Sequence, residues 1–125
     1  METNMNQYLL LLRHDPAVFQ AMSPQQIQQV FAKYQSWRMA LQEAGRLAGS
    51  NKLDDTTGRV LRGDGPSSAM RITDGPFAES KELIGGYFMV TADSYDEAVD
   101  LCRDCPHFAY GAIEVRCVAK MLPTP

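Results

Sequence analysis

Cysteine, tryptophan and histidine are scarce in this chain of 125 residues, which carries three, one and two of them. An odd cysteine count is unlike the paired framework of a small secreted protein. No apolar run approaches the roughly 20 residues that a membrane-spanning helix needs. The polar, acidic start Met1-Glu2-Thr3-Asn4-Met5-Asn6 and the short apolar run ending at Arg13 do not form a signal peptide. Cytoplasmic residence and no membrane partner are the expectation. Basic residues are not in excess either. Twelve Lys and Arg stand against 15 Asp and Glu, a net charge of −3, which leaves no basic footprint for nucleic acid. Gly85-Gly86 is not followed by Lys-Ser/Thr and leads into a strand, so it is no phosphate loop. A Gly-x-Ser-x-Gly nucleophile elbow is also missing.

What is present fits one domain. A chain this long buries about two-thirds of its unfolded surface and needs no staples. Residues 1–6 and 121–125 read as loose ends, which leaves a single α+β domain over 7–120. The first strand is expected at about Gln7 to Arg13. Ser23 as N-cap, Pro24 at the first helical position and Gln26 as partner in a capping box then open a long helix. Ile27, Val30, Phe31, Tyr34, Arg38 and Leu41 recur at steps of three and four and predict its buried face. Gly45 ends it. Strands are expected at Leu47 to Leu53, Gly58 to Arg62, Ala69 to Thr73, Gly86 to Ala92 and Gly111 to Val118. Ser94-Tyr95-Asp96-Glu97 predicts a second capping box, on a helix stopped by Pro106. The order β-α-β-β-β-β-α-β is a ferredoxin-like unit with an extra hairpin, its two main helices on one face of an antiparallel sheet.

The densest stretch runs from Asp74-Gly75-Pro76-Phe77 through Glu79-Ser80-Lys81-Glu82 to Gly85-Gly86-Tyr87-Phe88. Gly75 offers positive φ, Pro76 fixes its own φ, and Asp74 can cap the corner they make. Together with Tyr8-Leu9-Leu10-Leu11-Leu12, Glu43-Ala44-Gly45-Arg46-Leu47 and Cys105-Pro106-His107 to Ile113-Glu114-Val115-Arg116, this run resembles the DGPF branch of the YCII-related family over residues 7 to 118. The resemblance implies a small domain of the dimeric α+β barrel class. It implies little about a reaction, because most members of that family have none established. DGPF-type proteins tend to be encoded beside extracytoplasmic-function sigma factors, which implies regulation by association. The family's associated His and Asp do not carry over. Their positions align with Tyr34 and Cys105, and a phenol of pKa about 10 serves better as a hydrogen-bond donor than as a base.

Two functional readings follow. In the first, the chain is a small-ligand-binding or regulatory module. In the second, it is a cofactor-free, metal-free enzyme of lyase, isomerase or oxygenase type that moves a proton on a small, often aromatic, molecule. By resemblance, a cleft between sheet and helices would draw on Arg13 to hold a carboxylate or enolate, His14 or Asp74 to move the proton, and Tyr34 and His107 to bind. Phe77 is either a loop anchor or a pocket wall. His14 and Asp15 point to opposite faces if extended, so a carboxylate for His14 must come from elsewhere, with Asp74 the natural candidate. The alternative is that His14 sits in a solvated loop, with Asp15-Pro16 starting a turn and little effect of its loss on stability. Cys102-Arg103-Asp104-Cys105 with His107 and Cys117 is only half of a zinc motif. Two buried thiols are the expected reading, with no metal. Finally, Tyr8 to Leu12 and Tyr87 to Val90 are apolar at both parities, so both sheet faces want cover. Two helices cover one face; a second copy in a homodimer, sheet against sheet, is expected on the other.

Overall fold

The computed structural model describes residues 5–75 and 82–121. Strand β1 (Asn6–His14) alternates despite its uniform sequence. Tyr8, Leu10, Leu12 and His14 are buried, while Leu9, Leu11 and Arg13 on the other face are only half-buried. The buried set defines the side on which the helices lie. Helix α1 (Ala17–Gln20) is a single turn that the sequence did not announce. It starts where the Asp15 carboxylate accepts from Ala17 N–H at 2.9 Å. Helix α2 (Pro24–Glu43) opens on the complete Ser23/Gln26 capping box. It closes in a Schellman motif: Gly45 stands at φ 71, its N–H donates to Gln42, and Arg46 N–H reaches Leu41 at 2.9 Å.

The chain continues through β2 (Leu47–Lys52), β3 (Arg59–Arg62), β4 (Arg71–Asp74), β5 (Leu83–Ala92), α3 (Tyr95–Leu101), a 3-10 turn (Pro106–Ala109) and β6 (Gly111–Cys117). The antiparallel four-stranded sheet has the order β2-β5-β1-β6, the ferredoxin-like arrangement, and β3 and β4 form the inserted hairpin as a separate sheet. Leu61 and Ile72 pair across that hairpin and are both more than half exposed. Gly75 does not occupy the left-handed region, contrary to the expectation for its corner. A Cβ there would instead meet Val60 at 3.3 Å, so it is closeness to the hairpin that favours glycine.

Helices α2 and α3 share one core with the sheet: Trp37, Leu41, Ala98 and Cys102 pack with Tyr8, Leu10, Phe88 and Val90. The buried stripe of α2 is Val30, Trp37 and Leu41, with Tyr34 packed partly against it. Trp37, rather than Arg38, completes the expected face, and its ring meets Phe88 edge-on at 4.7 Å. Phe31 turns outward and is 45% exposed. At α3, Ser94 accepts from Glu97 N–H, but only half of the second capping box forms. The Glu97 carboxylate takes Arg46 at 2.7 Å and the Asp93 N–H instead. Cys102 and Cys105 lie in the core, where burial pushes each thiol up to about 11. That is the opposite of what a redox pair needs. No helix among the described residues is long and apolar enough to cross a membrane.

Candidate functional site

Where β1 ends, two imidazoles enter the core side by side, their ring centroids 5.9 Å apart. His14 is the last residue of β1 and is 2% exposed, so it is not in a solvated loop. Strand alternation places it on the helix side. The space for its ring comes from β5. The register of β1 against β5 pairs Leu12 with Gly86 but Arg13 with Ile84, leaving Gly85 as the extra residue of a bulge. A Cβ on Gly85 would stand 2.0 Å from His14 Cε1. The imidazole therefore occupies the volume that any other residue at 85 would fill. Phe19 of α1 closes the other side, edge-on at 4.7 Å.

The carboxylate that reaches His14 is Asp55, whose Oδ2 lies 2.9 Å from Nε2. Asp55 follows β2 in a tight loop. Its neighbour Asp54 turns back to cap Thr56, whose backbone N–H and hydroxyl hold the Asp54 carboxyl below the usual carboxylate range. Asp55 is thus left to point inward, and its Oδ1 takes the Lys52 ammonium at 2.8 Å. Nε2 of His14 donates to Asp55, and Nδ1 is buried with no hydrogen-bond partner. A proton on Nδ1 would have no acceptor, so the arrangement favours the tautomer with an unused lone pair on Nδ1.

His107, on the 3-10 turn after Cys105-Pro106, is 1% exposed. Its Nε2 donates to the Arg13 carbonyl at 2.8 Å, and its Nδ1 accepts from the Tyr34 hydroxyl at 2.7 Å. Burial lowers the His107 pKa, and burial, with Cys105 and Tyr110 nearby, raises that of Tyr34. Both are held neutral, which fixes the direction of the bond between them: Tyr34 gives its proton to His107.

One row further along the same sheet face the structure opens. Leu12, Gly86 and Lys52 are cross-strand neighbours, as are Leu10, Phe88 and Ser50. Gly86 has no side chain to fill the floor, and a cleft of about 330 Å³ remains between these rows and α2. Its apolar surface is Leu12, Phe31 and Phe88; its polar edge is Tyr34, Arg38, Ser50 and Lys52. Arg38 Nε donates to Ser50 Oγ at 3.0 Å, which ties α2 to β2 across the mouth. A volume near the lower end of ligand pockets, with an apolar floor and a few convergent polar groups, suits a small molecule.

The sequence-expected residues are therefore divided. His14, His107 and Tyr34 come together: Tyr34 is hydrogen-bonded to His107, whose ring lies 5.9 Å from that of His14. Arg13 lies on the opposite sheet face, where it pairs with Glu114 at 3.0 Å and Glu82 at 3.7 Å. Asp74 stands on the hairpin, 91% exposed, paired with Arg59 at 3.4 Å, an ion pair of small weight. Phe77 lies outside the described residues. Asp55, Lys52, Arg38 and Gly86 were not singled out from sequence for the site. Arg38 carried the one available signal, as a cation interrupting an apolar helix stripe.

The sequence model of the YCII-related domain matches residues 6–122. An uncharacterized protein of Rhizobium meliloti (strain 1021) is 30% identical over 118 residues, which is 93% of this chain and 94% of that protein.

Proposed function

The chain belongs to the YCII-related family, and for this member we propose a small-ligand-binding function seated in the cleft between α2 and the β2 edge of the sheet. The observation that carries it is the cleft itself: a volume of about 330 Å³ lined by Leu12, Gly86 and Phe88, with Tyr34, Arg38, Ser50 and Lys52 at its polar edge. In this reading the regulatory role implied by the DGPF resemblance is that of a sensor, and cleft occupancy is its input. NMR titration with benzyl alcohol and indole tests it. Amide shifts should concentrate at Phe31, Tyr34, Ser50, Gly86 and Phe88. Saturating probe without localised shifts there would remove the cleft from the function.

A proton-transfer reading is favoured by one observation, the His14 imidazole oriented by Asp55 with an unpartnered Nδ1. There His14 Nδ1, buried under Phe19 and reachable only when that ring moves aside, takes a proton from an acidic C–H and returns one to the same carbon. Acetophenone incubated in D2O would gain deuterium at its methyl carbon with the parent protein and lose that gain in His14→Gln. Equal exchange with and without protein would leave the pair a structural device.

We further propose that the working unit is a homodimer. The sheet face away from the helices carries Leu9 and Leu11 beside Tyr87 and Met89, all half-buried, and no segment among the described residues packs over them. A second copy would cover this row with two-fold symmetry. Light scattering at micromolar concentration should give twice the chain mass; a mass of one chain, independent of concentration, would refute it.

A further inference from the structure

The chemistry of the cleft edge narrows what it binds, given that it binds a small molecule at all. Arg13, Arg46, Arg59, Arg71, Arg103 and Arg116 each meet a carboxylate. Among the described residues Arg38 and Arg62 do not: Arg62 is exposed on the hairpin, and the partners of Arg38 are the neutral Ser50 Oγ at 3.0 Å and Gln42 Oε1 at 3.5 Å. The Arg38 guanidinium is half-buried on the cleft wall and is held in place, yet its charge is unanswered. Lys52 adds a second cation on the facing wall, and no Asp or Glu among the described residues lines the cleft. Asp55, the partner of Lys52, is shared between Lys52 and His14. A neutral ligand would leave Arg38 as it stands. A planar oxyanion would take charge-assisted bonds from Nη2 and from the Nη1 hydrogen left over by the long contact to Gln42. Phe31 and Phe88, beyond the guanidinium, offer cover for an apolar body.

We infer that the cleft takes a small apolar molecule bearing one carboxylate, with Arg38 as the anion-binding residue and Ser50 as the group that positions it. The volume limits the body to about one ring or a short branched chain. A larger dianion would need a second free cation, and Lys52 is engaged.

Isothermal calorimetry with the full chain tests this, using benzoate, benzamide and acetate as probes. Benzoate should bind at least about tenfold more tightly than benzamide, which has its shape without its charge, and than acetate, which has its charge without the ring. Arg38→Gln should remove the preference for benzoate over benzamide. Gln35→Glu, which sets a carboxylate one turn from Arg38 on the same helix, should do the same while leaving the guanidinium in place. Gln35 is exposed, so the thermal midpoint of Gln35→Glu should hold and separates loss of the preference from loss of the fold; the midpoint is recorded for Arg38→Gln as well. Equal binding of benzoate and benzamide would overturn the carboxylate class yet leave the cleft a ligand site. Benzoate binding undiminished in Arg38→Gln would overturn the role of Arg38. Binding of none of the three probes would overturn both this inference and the ligand-binding function on which it rests.

Discussion

Two adjacent glycines of β5, Gly85 and Gly86, are each required by close neighbours, but by different ones. The volume beside Gly85 is filled by the His14 ring, which sits where its Cβ would be. A Cβ on Gly86 would instead meet the Asn51 carbonyl of β2 at 2.9 Å, and the bare backbone at Gly86 is part of the cleft lining. The bulge at Gly85 makes the difference, because it shifts the register so that β1 delivers an imidazole to one position and Leu12 to the other. One end of the sheet is closed and rigid, tied by Asp55, Tyr34 and the Arg13 carbonyl. The next row is accessible and cationic. A site needs both: a wall that does not move and a space beside it.

Breaking the closed half should cost most. Gly85→Ala puts a methyl group 2.0 Å from His14 Cε1, with no flexible end to yield. The ring must leave and its bond to Asp55 with it. Urea unfolding should show a loss of about 3 kcal/mol or more. His14→Ala should cost about 2–3 kcal/mol, by opening a cavity and stranding Asp55. That is the reverse of the small effect expected for a solvated loop. The double variant sharpens the comparison, since a methyl at 85 can enter the hole left at 14. The two losses should add to distinctly more than the double variant shows. Strict additivity would mean that the glycine and the ring do not compete for one volume.

Tyr34→Phe touches both halves more gently. It removes the proton donor to His107 Nδ1 and should cost about 1–2 kcal/mol in the same assay, with the cleft volume kept. An unchanged midpoint would show that water replaces the hydroxyl without loss.

The smallest effect is on pH dependence. Burial lowers the His107 pKa in the folded chain. The unfolded chain therefore binds the proton more readily below about pH 6.5. The stabilisation is complete above that value and is lost as pH falls from there through the lower folded value. His107→Gln should flatten this slope of stability against pH. A slope identical to the parent's would place the acid sensitivity elsewhere.

Much of the scaffold was legible from residues alone. Ser23, Pro24 and Gln26 mark the start of α2 because capping is local chemistry, and Gly45 marks its end because the left-handed residue of a Schellman turn is local as well. The strand order followed from counting elements. The site was less legible. Asp55 looks like any loop aspartate in Asp54-Asp55-Thr56-Thr57, and only the capping of Thr56 by Asp54 leaves Asp55 to turn inward. Asp74 looked more promising because it belongs to the most distinctive run, yet that run leads out along the hairpin and not toward His14.

By itself, then, the sequence determined what short-range forces decide: the helix ends, the period of each strand and the ferredoxin-like order. The tertiary structure decided what depends on register and sidedness. Strand β1 reads as apolar on both faces, and only the seating of α2 and α3 selects Tyr8, Leu10, Leu12 and His14 as the inner set. One extra residue in β5 then decides which glycine meets the His14 ring and which lies in the cleft lining. A bulge is a relation between two strands about 70 residues apart in sequence, as the pairing of His14 with Leu83 illustrates. No local pattern in either strand encodes it.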